Sequence, residues 1–174
     1  MLPERFDSVE HLEEVMTTPS PALVDTLQRV SGDILVLGVG GKMGPTLARL
    51  AKRAAPAKRV IGVARFSEPG LRQALDRHGV ETVAADLLDR AALERLPKAP
   101  NVVFMAGRKF GSTGNESLTW AMNAWLPGLV AQPVSCVERC MPRYRWPSCL
   151  VNASDGTRCL CCGTERSTNE THAR

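Results

Sequence analysis

No cysteine precedes Cys136, no lysine follows Lys109, and the chain has a single tyrosine, Tyr144. It also lacks any apolar run near the ~20 residues that a membrane-spanning helix needs. The opening Met1-Leu2-Pro3-Glu4-Arg5-Phe6-Asp7 has no basic-then-apolar signal pattern. These absences predict a cytoplasmic protein with no membrane partner, and a reducing compartment argues against a disulfide framework. Nor do lysine and arginine gather in a stripe. The net charge is +4, yet basic residues are dispersed apart from Lys52-Arg53 and Lys58-Arg59, which reads as solvated surface and excludes nucleic acid as the expected partner.

What is present is the composition of one globular domain. The 174 residues are 44% hydrophobic and 23% charged, enough to fold around a core unaided. Ser8 is placed to cap a helix over Val9–Met16, and Thr17-Thr18-Pro19-Ser20-Pro21 breaks it. A second helical stretch over 22–30 carries Leu23, Leu27 and Val30 on one face, so residues 1–30 read as a helical packing arm.

Ile34-Leu35-Val36-Leu37 is a short unbroken apolar run between Gly32-Asp33 and Gly38, the pattern of a strand buried on both faces. Leu47, Leu50 and Ala51 then recur at helical spacing up to Ala54-Ala55-Pro56. Val60-Ile61-Gly62-Val63-Ala64 reads as the second strand, and Ser67 with Pro69 as the start of a helix running to His78-Gly79. Thr82-Val83-Ala84-Ala85 is the third strand. Asp89 caps a helix through Leu96, and Val102-Val103-Phe104-Met105 is the fourth strand. A polar, glycine-rich loop over 107–115 leads to a helix over 116–130 that Pro127-Gly128 should disturb. The alternation predicts an α/β fold of Rossmann type over 31–130, a doubly wound parallel sheet with helices on both faces.

The chemistry concentrates in Gly38-Val39-Gly40-Gly41-Lys42-Met43-Gly44, between a strand and a helix. The first glycine permits a tight turn, the next lets backbone approach a phosphate, and the last lets the helix lie close to the strand. Amide N–H groups and the positive end of the helix dipole then face a pyrophosphate. Gly38, Gly41 and Gly44 give G-x-x-G-x-x-G, whereas a P-loop would need glycine at Val36 and Ser or Thr at Met43. The plain alternative is a glycine turn that binds nothing. At the end of the second strand an acidic residue would take ribose hydroxyls. The chain has Val63-Ala64-Arg65-Phe66-Ser67 instead, so Arg65 with Ser67 leans toward NADP over NAD. An exposed loop arginine without a ligand accounts for Arg65 equally well.

The stretch from Ile34 to Gly44 resembles the opening of the extended short-chain dehydrogenase/reductases, the NAD-dependent epimerase/dehydratase family. Asp86-Leu87-Leu88-Asp89 is similar to that family's Asp-containing segment. Val103-Phe104-Met105-Ala106-Gly107 resembles its fourth strand, and Asn123 stands where the family places a helical asparagine. Over about 31–130 the resemblance implies a dinucleotide cofactor held by Gly38, Gly40, Gly41, Lys42, Met43, Gly44, Arg65, Asp86, Leu87, Ala106 and Gly107. It implies an oxidoreductase-type hydride transfer on a nucleotide sugar or another hydroxyl- or carbonyl-bearing substrate. The partners expected are this cofactor, a small-molecule substrate in full-length relatives, and a second copy in a homodimer.

The family's catalytic pair, Tyr-x-x-x-Lys, has no match. Four residues after Tyr144 stands Ser148. Residues 131–174 hold all six cysteines (Cys136, Cys140, Cys149, Cys159, Cys161 and Cys162) with no convincing period and no fifth apolar strand. The expectation is an irregular tail, aberrant or truncated relative to the family through a shifted reading frame or misassigned gene end. Sequencing the encoding DNA tests this, since another frame should encode an apolar strand and Tyr-x-x-x-Lys. Zinc is disfavoured because C-x-x-C knuckles at useful separation are absent. The glycosylation patterns at Asn152 and Asn169 read as chance without secretion. His11, His78 and His172 receive no role, and Trp120 and Trp125 read as packing residues. The readings left are a cofactor-binding protein without turnover and, from another class, a non-catalytic NADP-sensing or scaffold protein.

Overall fold

The computed structural model describes residues 3–108, 113–131 and 150–152. Helices α1 (Val9–Met16) and α2 (Pro21–Arg29) precede strand β1 (Ile34–Leu37). Then follow α3 (Gly44–Ala54), β2 (Val60–Ala64), α4 (Leu71–Arg77), β3 (Glu81–Ala84), α5 (Arg90–Glu94) and β4 (Asn101–Phe104). A composite helix closes the unit: α6 (Glu116–Trp120), a π turn (Ala121–Trp125) and α7 (Leu126–Ala131). Strand β5 (Leu150–Asn152) completes a sheet of order β3-β2-β1-β4-β5. Strands β1 to β4 are parallel, in register from Ile34 opposite Val60 and Asn101.

The run at β1 is unbroken because both faces of the sheet are covered. Ile34 and Val36 enter one core cluster with Leu27, Val39, Ala48, Val60 and Leu75. Leu35 and Leu37 enter the other with Ile61, Val63, Leu87, Leu93, Leu126 and Leu129. Helices α2, α3 and α4 thus pack on one face, and α5 and α7 on the other. Each buried leucine or isoleucine side chain contributes about 1.5–3 kcal/mol relative to exposure.

Several expected details shift. Ser67 does not cap α4. Gly70, at φ 84, occupies the N-cap, so residues 67–69 form a loop and the helix begins at Leu71. Strand β3 starts at Glu81, whose carboxylate takes two hydrogen bonds from Arg59, at 2.9 and 2.8 Å. The disturbance in the last helix begins before Pro127. Leu126 N–H bonds to the Ala121 carbonyl, five residues back. Proline has no N–H and its ring crowds the carbonyl four residues earlier, so the wider turn relieves that clash.

Within the stretch expected to be irregular, Leu150–Asn152 pairs antiparallel with β4, with Val151 opposite Val102 and Leu150 opposite Val103. These three residues supply partners to an otherwise unpaired strand edge. The cysteines, Tyr144, Ser148, Lys109, His172 and Asn169 lie outside the described residues.

The arm is seated unusually. Helix α1 is capped by Ser8, whose hydroxyl accepts from His11 N–H at 3.1 Å, but it buries no residue. It docks on α3 through Glu14, paired with Arg49 and Arg53, and through Glu13, near Arg49. The Arg53 hydrogen bond holds the Glu14 carboxyl below its usual range. Thr17, 1% exposed, accepts from Arg53 at 2.9 Å. The apolar side chains Val9 and Met16 remain exposed.

Candidate functional site

The glycine loop leaves β1 at the carboxyl ends of the parallel strands, between β2 and β4, where open α/β sheets bind their ligands. Its glycines differ in what forces them. Gly38 has φ 86, and a Cβ there would stand 2.5 Å from the Ala106 amide nitrogen. A Cβ on Gly44 would stand 2.2 Å from the Val39 carbonyl oxygen. Neither position tolerates a side chain. At Gly41 the nearest atom is the Gly38 carbonyl oxygen at 3.6 Å, ordinary contact. The fold itself therefore demands glycine at 38 and 44, and not at 41.

Val39 is a wedge that spacing did not reveal. It is fully buried and lies over Gly62 of β2, where a Cβ would stand 2.9 Å from Val39 Cγ1. A glycine inside an apolar strand was the available signal. The wedge fixes the loop on the sheet, while Gly40, Gly41, Lys42 and Met43 are exposed above it. Met43 precedes α3 without any side-chain hydrogen bond to the first turn. There Gly44 N–H bonds to the Gly41 carbonyl, Leu47 N–H to the Met43 carbonyl, and Pro45 has no N–H. The open part of the loop is therefore the exposed stretch 40–43.

The other predicted residues divide. Ala106, half-buried, touches the loop at Gly38, and Gly107 follows it exposed. Arg65 is exposed just past β2. A Cβ on Gly40 would stand 3.2 Å from Ala64 Cβ, so the end of β2 meets the loop rim. Asp86 is exposed, but its Oδ1 accepts from Leu88 N–H at 3.0 Å, which shapes the turn after β3. Leu87 does not turn its side chain to the site. It is 6% exposed and belongs to the second core cluster.

Asn123 has a role that the sequence did not specify. Its Oδ1 accepts from Arg108 N–H at 2.7 Å, and its Nδ2 donates to the Arg108 carbonyl at 2.7 Å. The half-buried amide clamps the segment after β4 as a neighbouring strand would, from inside the π turn. Gly107 fits beneath it, since a Cβ there would lie 3.3 Å from Asn123 Oδ1.

Phe66 is the one non-glycine residue with positive φ, at 50°, among the described residues. For a bulky side chain this backbone is strained by roughly 1–3 kcal/mol.

A cleft of about 400 Å³ flanks the loop between α3 and α4, lined by Gly41, Lys42, Thr46, Glu68 and Leu71 among others, and reached by Glu13 and Thr17 of the arm segment. Burial, then the Arg49 guanidinium, pushes the His78 imidazole at its far end below the ordinary range. Among the described residues no three His, Cys, Asp or Glu side chains could hold a metal ion, and no helix is long and apolar enough to cross a membrane.

A parallel α/β sheet with a glycine loop at its switch point defines a nucleotide-binding protein of Rossmann type. The family model described as NAD dependent epimerase/dehydratase family matches residues 34–124. That is more than half of the 174 residues, and the chain belongs to this family. A nicotinamide dinucleotide is accordingly its cofactor class. The exposed rim at residues 40–43 fits such a group, because Gly41 on that rim meets only ordinary contact and has no steric reason to be glycine. No curated protein matches the chain.

Proposed function

We propose that this chain binds NADP through the 31–130 unit and does not turn it over. The pyrophosphate lies on the rim of Gly40, Gly41, Lys42, Met43 and Gly44, below the first turn of α3. Arg65 takes the ribose phosphate, Asp86 borders the adenine, and Ala106 with Gly107 runs beside the nicotinamide half. The observation that carries the reading is the contrast at the glycines: Gly38 and Gly44 are fixed by backbone contacts, while Gly41 has only ordinary contact. A glycine kept where the fold does not need one is accounted for by a ligand approaching the backbone.

The parent activity is hydride transfer on a nucleotide sugar or a similar hydroxyl- or carbonyl-bearing substrate. Without a Tyr-x-x-x-Lys pair, the chain lacks the acid/base and the lysine that lowers its pKa. Titration of intrinsic and NADPH fluorescence, alongside a thermal melt, tests binding. NADPH should raise the melting temperature, and NADH should do so less. A melt unmoved by either at millimolar concentration overturns the proposal, as does cofactor consumption above buffer background for the statement on turnover.

A further inference from the structure

Phe66 stands where a phenylalanine is costly, and its neighbours show what the cost secures. Along β2, Val60 and Ala64 face the cluster under α3 and α4, and the Phe66 ring packs against that same cluster. Arg65 between them is exposed. The β2–β3 ladder ends at the bond from Ala85 N–H to the Ala64 carbonyl, so Arg65 is the first residue beyond it. Ala64 in turn approaches Gly40 of the loop.

A residue at φ 50 turns the chain out of the strand direction immediately after Arg65. Glycine would adopt this turn freely. Phenylalanine adopts it only because its ring is held from below, and the ring then works as an anchor that fixes the turn. Strain of this kind persists where surrounding structure over-determines it, and it concentrates at functional sites.

We propose that Phe66 is the positioning residue for cofactor choice: its anchored left-handed turn holds Arg65 at the rim of the glycine loop, to pair with the 2′-phosphate of NADP. This rests on the reading of the chain as an NADP binder. A guanidinium meets a phosphate best when its fork is pre-oriented, and a freely moving loop arginine would lose much of that preference.

The full chain is titrated with NADPH and NADH as wild type, Arg65→Ala, Phe66→Gly and Phe66→Tyr, each checked by thermal melt. The wild type should bind NADPH about 10-fold or more tighter than NADH, a difference near 1.4 kcal/mol. Arg65→Ala should erase that ratio. Phe66→Gly keeps the turn accessible and removes the anchor. It should bring the ratio to within about 3-fold with the NADH Kd nearly unchanged, whereas Phe66→Tyr should retain it. If Phe66→Gly does not fold, Phe66→Asn gives the same reading, because asparagine tolerates the left-handed backbone and has no apolar ring to anchor. An unchanged ratio in the folded anchor variant overturns the role of Phe66 and leaves NADP binding standing. Equal wild-type affinities, or no binding of either cofactor, overturn both.

Discussion

Gly41 and Gly44 offer a paired test at the scale of single residues. Gly44→Ala would drive a Cβ to 2.2 Å from the Val39 carbonyl oxygen, and overpacking of this kind costs about 1–3 kcal/mol. Its melting temperature should fall clearly. Gly41→Ala meets only ordinary contact and should melt like the wild type, yet bind NADPH about 10-fold more weakly. Equal melting losses in the two variants would contradict the division between folding and binding glycines. Asn123→Ala removes both hydrogen bonds to Arg108 and should cost about 1–3 kcal/mol, since it strands half-buried backbone groups. Hydrogen exchange at the Arg108 amide checks it: the amide should be protected in the wild type and fast in the variant.

At the scale of elements, helix α1 is held by charge, whereas α2 is seated by Leu27 in the core. Pairs such as Glu14 with Arg49 and Arg53 are partly exposed and screened by salt. An eight-residue helix without a buried face is marginal by itself. Amide exchange in α1 should therefore speed up between low salt and about 0.5 M salt, and Glu14→Gln should reproduce this at low salt while exchange in β1 stays slow. Exchange in α1 that ignores both would show that contacts other than these ion pairs hold the helix.

Elements also mark how much was legible beforehand. Strand β1 and the helix after the loop could be read because burial on two faces and the glycine spacing are local patterns. The start of α4 could not, because the left-handed turn at Phe66 rests on a ring packed against a core that the sequence does not display, and the left-handed Gly70, not Ser67, takes the N-cap. The Asn123 clamp joins residues fifteen positions apart, and the Val39 wedge needs β2 beneath it. Both arise from tertiary placement. The glycine loop was legible as a motif, but its sorting into folding and binding glycines required the neighbouring atoms.

For the whole molecule, acid is a controlled perturbation. The Arg59 hydrogen bonds hold the Glu81 carboxyl below its ordinary 4.5, and Arg53 does the same for Glu14. A carboxyl with a depressed folded-state pKa adds stability above its unfolded value, and that stability is lost as pH falls through the folded value. The melting temperature should change little from these groups between pH 7 and about 5.5, then decline below about 4.5. Glu81→Gln should shrink that decline, and an unaltered acid limb would remove the pair from the account. Strand β1 adds a final consequence. Ile34 and Val36 belong to one core and Leu35 and Leu37 to the other, so four consecutive side chains rivet the two halves together. Neither half can melt while the other stays native. Unfolding should accordingly be a single cooperative transition, with superimposable curves by near-UV and far-UV circular dichroism.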